Sequence, residues 1–501
     1  MNITEFHKNG QRNLLIAPAG HGKTYTISEL VSINDKQLPY LILTHTHAGV
    51  ASLREKIVEQ KSKNNNYTLT TIHGFCLSLV KAYLKDYENI PSQEKETDDF
   101  YKYLCNKARE LIEKKVISDI LKSSYSGVII DEYQDCNIDQ HSFALTLSKI
   151  IPLKALGDPL QCIFDFKDTC VDFKTDFKEF NHFNFLNKPW RWINSGNELL
   201  GEKIIKCRDH LLMREEDTFH LLDDPKANFH IKKNFDINSP QYFQEIGRFI
   251  RELKTESLLI IIPSKIKYKN KKGIFKTFCS INHRADIRNR MGLTHGFFLL
   301  EAIDNKDFYD ISNKLDKFFT QNFFNSEIYI KKVCTLMEIM TMGVSKVKEF
   351  INVDNGKFIK KKQENDQQIS NYLKLLFLTA FENQRKQDFL KILKYFHHHL
   401  KTPIKRPELF YDLLSAIESS IVSKTILENM IDKRNMLRRQ GRKVKGKVIG
   451  TTLLTKGLEF DTVVVFQADM LEDRRNFYVA ISRASKELHL ITSSEKIILK
   501  P

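Results

Sequence analysis

A chain of 501 residues is too long for one hydrophobic core, so several domains of about 100 to 200 residues each are expected. Hydrophobic residues make up 42%, with 35 Phe and 17 Tyr, which excludes wholesale disorder. Lys and Arg outnumber Asp and Glu by 78 to 62, and this net charge of +16 favours a polyanionic partner such as nucleic acid, although solvated lysine faces give the same balance.

The first element is the stretch NLLIAPAGHGKTYTISELV. It reads as a buried strand over 13–17, a small-residue turn, and a helix whose first turn carries Lys23 and Thr24. That is the context of a phosphate-binding loop, Ala17-Pro18-Ala19-Gly20-His21-Gly22-Lys23-Thr24. Gly20 and Gly22 let the backbone turn its amides toward phosphate, and the helix N-terminus adds partial positive charge. Lys23 neutralises the terminal phosphates, and Thr24 holds magnesium.

A second buried strand is expected over 40–43. Residues 77–124 then become helical and charged without strand punctuation, as in an inserted helical subdomain. The strand over 128–130 ends in Asp131 and Glu132. As the partners of a phosphate loop, Asp131 anchors the metal ion through water and Glu132 polarises the attacking water. A strand over 153–156 completes the first set, and the short apolar runs imply a parallel, helix-covered sheet.

A second set starts over 258–262 and resumes over 447–451, 462–466 and 487–491, around a block over 281–440 that reads as helices. Basic clusters at 265–272, 357–362 and 438–447 read as solvated loops and faces, with DNA contact the alternative, chiefly for the last. The eight cysteines include no C-x-x-C pair, so they suggest neither a zinc site nor a disulfide framework and fit a reducing cytoplasm. No apolar run approaches the about 20 residues of a membrane span, and MNITEFHKNG is not a signal peptide, so no membrane partner is expected.

Asp131-Glu132-Tyr133-Gln134-Asp135 resembles the DExQD box of UvrD/Rep-type superfamily 1 helicases, and the phosphate loop fits the same register, including Ala17. Six further boxes follow in the family's order. They are LTHTHAGVASLREKI around Thr44 and Thr46, TTIHGFC (70–76), LGDPLQCIFDF (156–166), PWRW (189–192), TTLLTKGLEF (451–460) and FYVAISRA (477–484). The resemblance implies an α/β fold of two RecA-like parallel-sheet domains, each interrupted by a mostly helical insertion in the UvrD-like 1A/1B/2A/2B arrangement. Domain 1A would take residues 1–76 and 125–195, 1B 77–124, 2A 196–280 and 441–501, and 2B 281–440.

It also implies roles. Gln161 senses the γ-phosphate, Arg191 and Arg483 are arginine fingers from the two sides of a cleft, Trp190 stacks on adenine, and Glu459 contacts the ribose. Phe164 and Phe166 take the positions of the family's base-stacking aromatics, with Lys167 beside them for a phosphate; spacing alone would also suit a core strand. Thr46, His73 and Thr451 would touch the DNA backbone, although His73 as a lone histidine reads first as structural. ATP with Mg2+ is the expected cofactor, DNA the partner, and three-prime to five-prime the implied polarity.

Some positions depart from the family pattern. No adenine-reading Gln lies well upstream of the loop; Gln11 is too close to the strand and Glu5 is the nearest residue in a plausible place, so GTP or dATP are expected to serve beside ATP. Leu453 replaces the His before KGLEF, and His47 and Ala48 replace a DNA-facing Asn and Lys, so modest DNA affinity is expected. The compact spacing most resembles the UvrD-like component of the gabija anti-phage system, which works with an OLD-type nuclease. Alternatives are a general repair helicase acting alone and a DNA-end-binding scaffold with a weak ATPase.

Overall fold

The computed structural model describes residues 2–8, 10–34, 38–59, 67–84, 97–163, 170–213, 218–270, 273–303, 305–422, 424–442, 444–494 and 496–499. The first half forms a six-stranded sheet of β1 (Arg12–Ile16), β2 (Tyr40–Thr44), β3 (Tyr67–Thr71), β4 (Gly127–Ile130), β5 (Leu153–Gly157) and β6 (Asn181–Phe183). Its order is β3-β2-β4-β5-β1-β6, with every pairing parallel. Every residue of β2, β4 and β5 is buried, as expected of strands covered by helices on both faces. The edges β3 and β6 are half-exposed, which dilutes the apolar signal that marks the central strands.

The second sheet comprises β7 (Phe229–Lys232), β8 (Leu258–Ile261), β9 (Phe297–Leu299), β10 (Lys447–Gly450), β11 (Phe460–Val465) and β12 (Ala484–Ile491). It too is six-stranded and parallel, in the order β9-β10-β8-β11-β12-β7. The helical block expected over 281–440 is narrower than that range. Phe297 pairs with Lys447 and Leu299 with Ile449, so β9 belongs to the sheet, and the helical excursion leaves after it and re-enters at β10. The helix Ile281–Arg290 likewise lends Ala285 and Ile287 to the core on one face of this sheet.

The two insertions are built differently. In the first, Phe100, Leu104, Ala108 and Ile112 of the helix Thr97–Ile112 join Leu41, Leu43 and Val128 of the sheet in one core. In the second, helices from Lys306–Phe319 to Ile426–Gln440 enclose a core of their own, including Phe308, Leu315, Val333, Phe377, Phe389 and Leu413. Ion pairs knit this block to the chain leaving β9: Arg406 bonds Glu301 and Asp307, and Arg442 donates to the Glu301 carbonyl at 2.7 Å and to Glu408. Among the described residues all eight cysteines are free, and no helix is long and apolar enough to cross a membrane.

Candidate nucleotide site

The phosphate loop runs from β1 into the helix Lys23–Ser32. Gly20 and Gly22 have φ of +70° and +95°, a region that side chains other than glycine's disfavour. Gly20 also lacks room, since a Cβ there would stand 2.8 Å from the Arg191 Cβ and 2.9 Å from the Trp192 ring. Lys23 is buried, and its Nζ donates to the carbonyls of Ala17 at 2.7 Å and Pro18 at 3.0 Å. Burial pulls its pKa down, against the opposing pull of Asp158, Glu132 and Asp131. His21 is also buried, 2.8 Å from the Ala19 carbonyl, with its pKa held low chiefly by burial. The loop is thus a fixed cradle with a cation in its floor.

Asp131 follows β4, two strands from β1 with β5 between them. Burial, then the neighbouring Glu132, pushes its carboxyl up to about 7. Burial also pushes Glu132 up, but Lys23, Lys456, a Gln134 hydrogen bond and Arg483 outweigh it and hold Glu132 below the usual range. The adjacent acids are therefore differentiated, with Glu132 the one kept ionised. Glu132 has φ of +52°, a strained conformation for a non-glycine residue of the kind that clusters at functional sites.

Gln134, a residue with no role in the sequence-based expectations, joins two boxes. It donates to Glu132 and accepts the Asp158 amide at 3.0 Å. Asp158 in turn accepts Gln161 Nε2 at 2.9 Å and pairs with Arg208 at 3.0 Å, with its own side chain fully buried. Gln161 is therefore held by the first sheet while its Oε1 stays within 3.5 Å of Arg483 Nη2.

Groups from the second sheet close over this assembly. Arg483, immediately before β12, is 1% exposed and donates to Val479 O at 3.0 Å, Leu458 O at 3.3 Å and Ser482 Oγ at 2.8 Å. Burial, then Arg191, lowers its pKa to about 10. Arg191 bonds Ser482 O and pairs with Glu459 at 2.6 Å, while its Nε is buried without a hydrogen-bond partner. The backbone of the same residue donates to Gly20 O at 3.0 Å. Two further cross-links have no counterpart in the sequence reading. Tyr478 Oη accepts the Ala19 amide at 2.9 Å, and Lys456 Nζ binds both carboxylate oxygens of Asp135 and, at 2.7 Å, the Gln161 carbonyl. Both lie inside boxes that the sequence flags (TKGLEF and FYVAISRA); the boxes locate them, but only the fold reveals what they touch.

Trp190 and Trp192 divide the PWRW box between surface and core. Trp192 is fully buried and donates to Ala484 O at 2.8 Å. Trp190 is 44% exposed, and its Cδ1 stands 3.5 Å from where a Cβ on Gly22 would lie. An exposed aromatic face therefore stands beside the phosphate loop.

The residues fit a magnesium nucleotide. The cradle has no room for a Cβ at Gly20, Lys23 lies in its floor, and Arg191 brings an unpartnered Nε. Thr24 and Asp131 could supply the hard oxygen donors that magnesium selects. Bound there, the ion would neutralise charge on the terminal phosphates.

The DNA candidates are less well gathered. Thr46 is exposed, and its hydroxyl accepts the Gly49 amide at 3.0 Å at the start of the helix His47–Glu59. His73 has a structural occupation, 3.2 Å from Gln140 and ring-to-ring at 4.4 Å with Tyr101 of the first insertion. Thr451 stands partly exposed after β10. Phe164, Phe166 and Lys167 lie outside the described residues. Of the basic clusters, the last comes nearest these groups: His47 is held below its usual pKa by burial and then by Arg439 and Arg438.

Comparison with known proteins agrees with this layout. Residues 4–167 match the model of an AAA domain, and residues 449–491 match that of a UvrD-like helicase C-terminal domain. The chain is 30% identical over 138 residues to an ATP-dependent helicase/nuclease protein of Ruminiclostridium cellulolyticum, a match covering 23% of this chain and 10% of that protein. An AAA domain and a UvrD-like helicase C-terminal domain are thus joined in one chain, each on its own six-stranded parallel sheet.

Proposed function

We propose that the chain is an ATP-driven DNA motor that moves three-prime to five-prime along single strands. One observation carries the reading: side chains of the second sheet rest directly on the phosphate-handling residues of the first, Tyr478 on Ala19 and both Arg483 and Lys456 on Gln161. Occupancy at the phosphates is thereby coupled to the spacing of the two sheets, which a translocating stroke needs. In this reading Lys23 binds the terminal phosphates, Glu132 polarises water, Gln161 registers the γ-phosphate, and Arg191 and Arg483 stabilise charge in the transition state. Thr24 and Asp131 hold magnesium, Trp190 stacks on the base, and Glu459 turns from Arg191 to the ribose. Thr46, Thr451, Phe164, Phe166 and Lys167 contact DNA, supported by the nearby Arg438 and Arg439.

Base recognition is permissive in this proposal. Gln11 is engaged with Ser148 O at 2.6 Å, and Glu5 exchanges hydrogen bonds with Asn2 at the start of its own short helix, so neither is a ready adenine reader. We further propose a place in an anti-phage complex of the gabija kind, beside an OLD-type nuclease. Support comes from the small first insertion, from the short spacing between TKGLEF and FYVAISRA, and from a relative whose name pairs helicase with nuclease.

Steady-state hydrolysis of four NTPs without DNA and with single strands, blunt duplex or tailed duplex tests all three parts, run with and without a candidate nuclease. Turnover stimulated by single strands or tails is expected, with GTP or dATP accepted. Turnover indifferent to every DNA overturns the motor, and a strict ATP preference overturns the permissive base site. Processive unwinding by the isolated chain, with no response to the nuclease, favours a repair helicase over the defence role. Lys23→Ala that keeps DNA binding and loses stimulated turnover separates the motor from a scaffold.

A further inference from the structure

Away from the nucleotide site, three ligating side chains gather at one edge of the second sheet. His230 on β7 and His489 on β12 are register partners in adjacent parallel strands, and their rings stack at 4.8 Å with an 18° tilt. Glu487 lies two residues before His489 and therefore on the same face. Its Oε1 is 3.1 Å from His489 Nε2 and 3.5 Å from His230 Nε2. One donor atom from each residue can be chosen so that all lie within 4.8 Å of one another. His489 is 3% exposed; its Nδ1 has no hydrogen-bond partner, and its Nε2 faces the Glu487 carboxylate at 3.1 Å. A buried imidazole with one nitrogen unpartnered and the other on a carboxylate that a second imidazole also approaches calls for an explanation.

We infer that His230, Glu487 and His489 form a binding site for a divalent transition-metal ion of the zinc class, separate from the nucleotide's magnesium. Two imidazoles and one carboxylate select zinc-like ions over magnesium or calcium. With bonds of about 2.0–2.1 Å, tetrahedral ligands stand about 3.4 Å apart, and both histidine-to-carboxylate separations are already near that value. Only the two imidazoles must close, and His230 and Glu487 are partly exposed and able to turn. Because His230 and Glu487 are partly exposed, a fourth position would be open to water, as in other three-ligand sites.

The surroundings bound the affinity. Phe249 meets the His489 ring edge-on at 5.2 Å, and Lys232 lies over Phe249. His489 Nδ1 lacks the outer partner that orients most metal-bound histidines, which places the site about 10- to 100-fold below a fully supported one. The consequence for the fold is local: the ion clamps β7 to β12, the strand that begins directly after Arg483.

The test uses untagged, metal-free full chain titrated with Co2+ and followed by visible absorption, with Zn2+ as competitor. One ion per chain, displaced by Zn2+ and raising the melting temperature, is expected. His230→Gln and Glu487→Gln sit at partly exposed positions, and each should weaken binding by at least about tenfold while circular dichroism stays unchanged. Lys23→Ala should leave binding intact. The run His397, His398 and His399 is a rival chelator, so His397→Gln and His398→Gln should also leave it intact. No binding by the wild type, binding unmoved by His230→Gln and Glu487→Gln, or loss in the His397 or His398 variants would each overturn the assignment.

Discussion

The two sheets share strand number and direction and differ in what hangs from them. In the first, the inserted helix Thr97–Ile112 contributes Leu104 and Phe100 to the core that also contains Leu41 and Val128. In the second, the inserted block closes a core of its own and meets the chain leaving β9 through charged and polar contacts centred on Arg406, Glu301 and Arg442. One insertion is fused to its sheet and the other is docked. The site shows the same division of labour: the first sheet holds the phosphate loop and both acids, and the second lends Arg483, Lys456 and Tyr478 across the cleft.

If the second sheet's part is to deliver charge, Arg483→Ala should lower stimulated turnover by about 10³-fold or more while nucleotide binding survives. Lys23→Ala, on the holding side, should weaken both. Nucleotide affinity by fluorescence titration beside turnover distinguishes the two, and equal losses of affinity would erase the division.

The contrast between fused and docked insertions is open to denaturation. Arg406→Ala leaves Glu301 buried without its partner, a loss of about 3–5 kcal/mol, and should release the helical block as a separate early transition in hydrogen exchange. Leu104→Ala, costing about 2–5 kcal/mol, should lower the first sheet and its insertion together. A separate transition for residues 97–124 would reverse the comparison.

A smaller effect probes the link between the sheets. Burial outweighs Lys456 and pushes Asp135 up to about 7. Because this folded value lies above the unfolded one, folding takes up a proton at intermediate pH, and the resulting stability is lost as pH rises through about 7. Wild type should therefore lose stability relative to Asp135→Asn from about pH 4 to about pH 7 and level off above that, as measured by urea midpoints. A difference flat across that range would place the Asp135 charge at no net cost. Smallest of all, Trp190→Ala should weaken nucleotide binding by about 1–3 kcal/mol, the scale of base-to-aromatic stacking, and by similar amounts for ATP and GTP.

How much of this was legible in the sequence follows from what each residue signals. β2, β4, β5 and β8 are buried along their whole length and read directly as apolar runs. β3, β6, β7 and β9 are the four edge strands; solvent admits residues such as Thr68, Asn181, His230 and Phe298 there, and the pattern fades. The phosphate loop and DEYQD were legible because consecutive residues act together. Gln134, Asp158, Arg208 and Tyr478 act through contacts more than twenty residues away in the chain, and no local spacing encodes such a partner. His73 shows the converse, a residue whose box points to DNA while its ring packs on Tyr101.

The pairing of β9 with β10 has one more consequence. The chain leaves the second sheet at Leu299 and returns beside it at Lys447, so the sheet sees the whole helical excursion as a single loop with its ends held one strand apart. Closing a flexible loop of doubled length costs only about 0.6 kcal/mol more, so this gate is nearly indifferent to the size of what passes through it. A domain inserted there can be enlarged, trimmed or exchanged over evolutionary time while Lys456 and Arg483, farther along the chain, keep their positions.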